Sequence, residues 1–118
     1  NVVAEICVFL QQRINACIVA GIKRENIILD PGFGFGKNLA HNLTVLKKIS
    51  TFKDLGYPVL AGLSRKSMIV KLLGYEPDSR LTSSIILALR AAENGASIIR
   101  VHDVKETIEG FMLSQSIS

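Results

Sequence analysis

The sequence predicts a protein of the α/β class, in which one helix precedes three strand–helix units, α(βα)₃. Two observations predict this order. Short runs rich in Ile, Val and Leu alternate with longer stretches whose apolar residues recur at helical spacing. In addition, a cluster of polar residues follows each strand-like run at the same end. Strands that alternate with helices pair in parallel through right-handed crossovers, so we expect a parallel sheet covered by helices.

The first helix and the first strand are predicted near the beginning of the chain. From Val2 to Ile18 the apolar residues follow the period of a helix, and Gly21 supplies the left-handed residue that ends many helices. Asn26 to Asp30 is a run of β-branched residues and leucine that stops at Pro31 and Gly32. Such a run is typical of a strand that is buried on both faces of a parallel sheet.

The second helix and the second strand follow by the same criteria. Leu39 to Leu55 resumes the helical spacing, and Gly56 and Pro58 interrupt it. The segment from Pro58 to Gly62 is then predicted to be a strand, and Ser64 begins a loop with a short helix.

The last elements are predicted from their capping residues. Asp78-Ser79 are expected to cap a longer helix that ends near Gly95. Ala96 to Val101 is the third predicted strand. Asp103 and Glu106 match the D-x-x-E capping box, which predicts the start of a final helix.

The predicted sheet is too small to stand alone. Three strands with both faces covered leave two open edges, which ordinarily need further strands or a partner. A complete (β/α)₈ TIM barrel takes about 250 residues, so 118 residues are nearly half of one, and an open doubly wound sheet is the alternative. Because the chain begins with Asn1 inside a helical pattern, we expect its N-terminal half to be absent.

Composition and charge argue against several functional classes. The uninterrupted apolar runs fall short of about 20 residues, so no membrane partner is expected, and the lack of a signal-peptide pattern predicts a cytoplasmic protein. The net charge is +4, but the basic residues are scattered, so no nucleic-acid partner is expected. Cys7 and Cys17 lie about 15 Å apart along one helix, which predicts reduced thiols and no metal site.

The first candidate motif is DPGFGFGK, from Asp30 to Lys37, which places a carboxylate at the end of a buried strand. Its glycines do not have the spacing of a dinucleotide fingerprint or of a P-loop. An ordinary turn is one interpretation. The other is that glycines around Phe33 and Phe35 bring the backbone close to a flat ligand, while Asp30 accepts paired hydrogen bonds from a guanidine-like ring edge.

The second and third motifs carry positive charge. Ser64, Arg65 and Lys66 stand beside the start of a helix, whose N-terminus favours a carboxylate or a phosphate. Arg100 and His102 lie two residues apart and therefore on one face of a strand. A helix cap with solvated cations and a structural histidine are the alternatives. Because parallel strands bring equivalent ends together, we instead expect one shared, anion-handling site at this edge.

Taken in order, DPGFGFGK, G-x-SRKS (62–67) and RVHDV (100–104) resemble the C-terminal half of the dihydropteroate synthase family. The resemblance extends from about Asn26 onward, and the opening helix fits by position alone. It implies that residues 1–118 are the C-terminal part of a single pterin-binding TIM-barrel domain. The implied activity is that of a transferase of folate biosynthesis and sulfonamide target, which condenses 6-hydroxymethyl-7,8-dihydropterin diphosphate with p-aminobenzoate and releases pyrophosphate.

The resemblance also implies roles for individual residues. Asp30 would bind the pterin, and Lys66 would contact the pterin and border the aminobenzoate pocket, with Arg100 and His102 on the diphosphate. Lys66, Arg100 and His102 would thus be the catalytic residues. The residues implied for the p-aminobenzoate pocket are Gly34, Phe35, Ser64 and Arg65. Magnesium would assist through ligands in the missing half, and the complete enzyme would be a homodimer, whereas this chain alone would be inactive.

Two other functions remain open at this point. A methyltetrahydrofolate-dependent corrinoid methyltransferase would share the pterin carboxylate, although it would not need the anion-binding groups of the second and third motifs. A non-catalytic pterin-binding fragment would keep Asp30 and Lys66. The sequence shows no activated Cys or Ser beside a base, which is consistent with a reaction that forms no covalent enzyme intermediate.

Overall fold

The computed structural model describes residues 1–34 and 37–118, and these form a mixed α/β structure that is mostly helical. A short 3₁₀ helix spans Arg24–Asn26. The helices are α1 (Val2–Val19), α2 (Leu39–Lys47), α3 (Ile49–Lys53), α4 (Met68–Leu73), α5 (Leu81–Glu93) and α6 (Val104–Ser116), and the strands are β1 (Leu60–Ala61) and β2 (Ile98–Ile99).

The sheet is parallel, as predicted. Strand β1 pairs with β2, with Leu60 opposite Ile98. On its other side the chain makes a parallel bridge between Leu29 and Val59. Three chain segments therefore run side by side, although the first forms this bridge and not the full strand expected from Asn26 to Asp30. The 3₁₀ helix ends at Asn26 and the backbone turns at Gly32, where φ is +77°, so few residues between them can join a ladder.

Helix α1 agrees with the prediction at both ends. The Asn1 side chain accepts hydrogen bonds from the backbone N–H groups of Val3 and Ala4. At the other end Gly21 adopts a φ of +93°, and the Ile22 N–H donates to the carbonyl oxygen of Cys17. This is the Schellman arrangement, in which a left-handed glycine lets the chain turn back and satisfy the last carbonyl groups.

By length and composition α1 could cross a membrane, with a mean hydropathy of 1.5 over 18 residues. The expectation that the chain holds no such segment is therefore corrected. That expectation rested on uninterrupted apolar runs, whereas polar residues interrupt α1 and its mean hydropathy is still 1.5. The core helix of a soluble protein and a signal sequence can have the same length and composition. Val3, Leu10 and Ile14 of α1 lie in the core of this chain, but only a small share of the 18 residues is buried.

Two other helix boundaries differ from the predictions. The segment from Leu39 to Leu55 divides at Lys48 into α2 and α3. Helix α5 begins at Leu81, with Arg80 and not Asp78-Ser79 at the N-cap position. The Ser79 hydroxyl instead accepts from the Leu81 N–H at 3.1 Å, so the expected cap residue still serves the helix start from one position further out.

The core lies between the parallel segments and the helices that pack against them. Val45, Ile49 and Phe52 of α2 and α3 are fully buried, as are Val59 and Ala61 at β1. Burial of such side chains is the main favourable contribution to folding, each worth about 1.5–3 kcal/mol. This packing fixes β1 against the helices, and the polar residues that follow each parallel segment emerge at one edge.

Candidate active site

Polar residues from the three parallel segments meet at the carboxyl edge of the sheet. The Arg100 N–H donates to the Ala61 carbonyl oxygen at 3.0 Å, which ties the end of β2 to the end of β1. The Arg100 Nη1 atom lies 3.9 Å from Oδ2 of Asp30. A cavity of about 420 Å³ opens here and is lined by Gly62, Ser64, Lys66, Arg100, Val101 and His102.

Asp30 stands at the border of this cavity with one oxygen engaged. Its Oδ1 accepts from the Gly32 N–H at 2.9 Å, which orients the carboxylate within the turn. Its Oδ2 faces Arg100, and both side chains remain about half exposed, at 41% and 57%. An ion pair that is long and this exposed contributes little to stability, so both groups can exchange it for a ligand at small cost.

The glycine loop after Asp30 is supported by Asn42, a residue of α2 that is only 3% exposed. Its Oδ1 accepts from the Gly34 N–H at 2.9 Å, and its Nδ2 donates to the Lys37 carbonyl oxygen at 3.4 Å. Phe33 is 1% exposed and belongs to the hydrophobic core. Phe35, which the sequence places in the aminobenzoate pocket, lies outside the described residues.

Gly34 is not part of the cavity that holds Lys66 and Arg100. It lines a second cavity of about 460 Å³, together with Lys37, Asn38, Asn42, Ser67, Met68 and Lys71. Ser67 lies next to Lys66 in sequence, so the two cavities are joined by the loop that follows β1. The sequence grouped these residues as one aminobenzoate pocket, but Ser64, Gly34 and Arg65 line three different cavities.

Ser64 and His102 are in direct contact. The Ser64 Oγ accepts from the His102 backbone N–H at 3.2 Å and lies 2.9 Å from the ring Nδ1. Ser64 is buried, whereas His102 is exposed at the cavity. The serine was predicted for the aminobenzoate pocket, and its hydroxyl points to the histidine.

Arg65 is held in an unusual conformation by three side chains. Its φ is +57°, the left-handed region that residues other than glycine seldom adopt. The Ser84 Oγ of α5 accepts from its N–H at 2.8 Å, and the Arg80 Nη1 donates to its carbonyl oxygen at 2.9 Å. The guanidinium makes two hydrogen bonds to Asp103, at 2.8 and 3.2 Å.

The predicted capping by the Asp103 side chain is wrong, because this side chain contacts Arg65. Asp103 is the N-cap residue of α6, but its side chain makes no capping hydrogen bond. Both carboxylate oxygens are taken by the Arg65 guanidinium, whose paired donors match a carboxylate better than single N–H groups do. The hydrogen bond from Arg65 lowers the pKa of Asp103, and the same bond raises the pKa of Arg65.

Gly62 is a sterically restricted position at the cavity that the sequence did not single out as a site residue. A Cβ atom at Gly62 would lie 2.6 Å from Nη2 of Arg100 and 3.1 Å from its Cζ. The guanidinium therefore lies directly over the glycine, in space that any other residue would occupy. A glycine at a strand end was the available signal, but only the position of Arg100 gives it a meaning.

The arrangement suits a ligand that has an anionic group next to a polar ring. Lys66 and Arg100 place cationic groups on one cavity and His102 adds a further donor, while Asp30 offers a carboxylate at its border. Among the described residues no three His, Cys, Asp or Glu side chains gather as they would around a metal ion. The chemistry available here is hydrogen bonding and charge stabilisation.

Comparisons with known proteins agree with this chemistry. Residues 1–102 match the family described as pterin binding enzyme. A dihydropteroate synthase of Haemophilus influenzae is 53% identical over 107 residues, which are 91% of this chain and 39% of that protein. A solved structure of the Xanthomonas albilineans dihydropteroate synthase in complex with 7,8-dihydropteroate is 45% identical, with a TM-score of 0.94. It covers 99% of this chain and 46% of that one.

A second Xanthomonas albilineans structure, with 4-aminobenzoic acid, gives a TM-score of 0.93 at 45% identity, covering 99% of this chain and 45% of that one. The chain thus spans less than half the length of these relatives. The family match runs from α1 through all three polar strand ends to His102. The residues that line the site are therefore included in the match. The chain belongs to the family of pterin-binding enzymes.

Proposed function

We propose that this chain is the C-terminal part of a dihydropteroate synthase with a (β/α)₈ barrel. The enzyme would join 6-hydroxymethyl-7,8-dihydropterin diphosphate to p-aminobenzoate and release pyrophosphate. The observation that carries the proposal is the meeting of Asp30, Lys66, Arg100 and His102 at one edge of the parallel segments. In the proposed barrel this chain contributes one helix followed by three strand–helix units, α(βα)₃. Residues 1–118 would then be part of one barrel domain whose other half lies outside this chain.

The roles follow from charge and position. Asp30 would accept hydrogen bonds from the aminopyrimidinone edge of the pterin, with Lys66 alongside it. Arg100 and His102 would bind the diphosphate, since a fixed cation and an N–H donor suit a polyanion. Ser64 and Arg65 would border the p-aminobenzoate, with Gly34 and Phe35 on the neighbouring glycine loop.

The reaction needs charge stabilisation more than it needs a nucleophile from the protein. Cleavage of the carbon–oxygen bond leaves negative charge on the departing pyrophosphate, and donors already in position stabilise it as it forms. Lys66, Arg100 and His102 provide such donors on one cavity. The amine of p-aminobenzoate attacks the pterin carbon directly, so the enzyme forms no covalent bond to the substrate.

Magnesium is the cofactor that the proposal includes, and the described residues do not offer it a site. Mg²⁺ prefers several oxygen ligands, and Asp30 stands beside a guanidinium and not beside other carboxylates. We therefore assign no Mg²⁺ ligand to these residues and derive no step through the ion. Its ligands belong to the proposed other half, as do the contacts of the proposed homodimer, and the proposed location is the cytoplasm.

The test is a chimaera of the Haemophilus influenzae relative in which this chain replaces the matching segment. We expect it to form 7,8-dihydropteroate and pyrophosphate from the two substrates, and we expect no turnover from the 118-residue chain alone. Lys66→Ala in the chimaera should abolish product formation, whereas Lys53→Ala, on the exposed side of α3, should not.

The alternatives give different outcomes in the same assay. A folded chimaera that binds a pterin but forms no product would favour the non-catalytic, pterin-binding alternative. Turnover by the isolated chain would contradict the division of the site between two halves. The corrinoid methyltransferase alternative is not favoured by the curated relatives, which are named dihydropteroate synthase.

A further inference from the structure

The contact between Ser64 and His102 determines where the imidazole carries its proton. The Ser64 Oγ accepts from the His102 backbone N–H at 3.2 Å and lies 2.9 Å from Nδ1. A serine hydroxyl has one proton to donate and two lone pairs that accept. The backbone N–H occupies one lone pair, so the contact with Nδ1 uses either the hydroxyl proton or the second lone pair.

Burial favours donation from the serine when the ring is neutral. Ser64 is only 8% exposed, and a buried hydroxyl proton without an acceptor is costly. Nδ1 is an acceptor at hydrogen-bond distance, provided that it does not itself carry a proton. The neutral imidazole must then carry its proton on Nε2.

The same geometry also serves the charged ring. If His102 becomes an imidazolium, Nδ1 gains a proton and donates it to the second lone pair of Ser64, after the hydroxyl rotates. Nε2 carries a proton in this state too. An Nε2–H donor is therefore present whether the ring is neutral or charged, and Ser64 switches between donor and acceptor to allow it.

We propose that Ser64 is a positioning residue that holds His102 in the Nε2–H form, so that the ring donates a hydrogen bond to an oxygen of the pyrophosphate group. The inference rests on the proposed function, because it takes the diphosphate as the anion in the cavity that Arg100 and His102 both line. Ser64 follows β1 and His102 follows β2, so this hydrogen bond also joins two strand ends. The direction of the imidazole is thereby fixed relative to the sheet.

The test is a direct observation of the histidine tautomer by NMR. The gene product that carries this chain is labelled with ¹⁵N-histidine, and long-range ¹H–¹⁵N spectra are recorded at a pH where imidazoles are neutral. His102 is assigned from the signals that disappear in H102Q. The exposed His41 of α2 is the internal reference for an imidazole without this serine contact.

We expect His102 to carry its proton on Nε2 in a larger fraction than His41 does. In Ser64→Ala this fraction should fall to that of His41, and the dissociation constant for inorganic pyrophosphate should rise about three- to tenfold, the usual effect of one neutral hydrogen bond. Ser64→Thr keeps the hydroxyl and should restore both values. A purely structural role for the serine would not move the tautomer signal.

Several results would overturn the inference. One is a proton on Nδ1 of His102 in the unmodified protein, which needs no variant and so does not depend on how Ser64→Ala folds. Another is an unchanged tautomer in a folded Ser64→Ala protein. An active chimaera with the proton on Nδ1 overturns this inference and leaves the proposed function standing. An inactive chimaera with a tautomer that depends on Ser64 supports the inference and counts against the proposed function.

Discussion

Replacing Gly62 by alanine tests whether the position of Arg100 matters for anion binding. The added Cβ would lie 2.6 Å from Nη2 of Arg100, whereas ordinary van der Waals contact begins at 3.4 Å. The guanidinium must therefore retreat by about 0.8 Å or swing away from the strand end.

We expect Gly62→Ala to raise the dissociation constant for pyrophosphate by up to about tenfold, because the guanidinium ends a flexible, half-exposed side chain and moves aside without being removed. Charge-assisted hydrogen bonds are worth about 1.5–3 kcal/mol, and about 1.4 kcal/mol corresponds to tenfold in affinity. The affinity for a bare pterin should change little, because that ligand is assigned to Asp30. Calorimetric titration with inorganic pyrophosphate and with a pterin, in the gene product that carries this chain, measures both.

A double-mutant cycle with Arg100→Ala provides the control. Arg100→Ala alone should also weaken pyrophosphate and leave pterin binding largely intact. If the alanine at Gly62 acts by displacing the guanidinium, it should have almost no further effect once that guanidinium is gone. The reasoning would be refuted if Gly62→Ala kept its full effect in the Arg100→Ala protein, or if both ligands lost affinity equally.

Three further predictions concern single side chains. Asp30→Asn should weaken pterin binding in a calorimetric titration by about tenfold or more, because it removes the charge from paired hydrogen bonds, while the exposed Asp54→Asn should leave it unchanged. Ser84→Ala should lower the free energy of unfolding in urea by about 1–2 kcal/mol, since a partly buried N–H loses its acceptor. Thr44→Ala, which loses only a hydrogen bond to its own helix, should cost less. Asp103→Asn should destabilise the protein at neutral pH, because the ion pair with Arg65 lowers the carboxyl pKa of Asp103. This effect should decline progressively as the pH falls below about 4 and through the lowered pKa. An equal loss of stability at pH 3 and pH 7 would contradict this.

Local patterns in the sequence predicted much of the fold. The apolar spacing of α1 and the glycine after it gave its limits to within a residue or two, because both act within one turn of helix. Parallel pairing was predicted from the alternation of strands and helices. The meeting of Asp30, Arg100 and His102 followed from that pairing alone. The first strand was predicted longer than it is, because an apolar run does not show how many of its residues find a partner.

Features that depend on distant partners could not be predicted. The D-x-x-E pattern correctly marked the start of α6, but the Asp103 carboxylate goes to Arg65, which is 38 residues away. Likewise nothing in the local sequence shows that Ser84 holds the left-handed backbone of Arg65, or that Arg100 lies across Gly62. Each of these residues has an ordinary local explanation, and its role appears only when its distant partner is in place.

The separation of these contacts along the chain has a consequence for synthesis on the ribosome. The hydrogen bonds from His102 to Ser64 and from Arg65 to Asp103 each join residues 38 positions apart, and Asp30 meets Arg100 across an even longer interval. Contacts of long sequence separation form slowly, because the chain must first lose the entropy of closing a large loop. The growing chain can build α1 and α2 early, but the polar edge of the sheet cannot assemble until the residues around Asp103 have left the exit tunnel. A nascent chain paused before that point would contain these helices without the contacts that join Ser64 to His102 and Arg65 to Asp103.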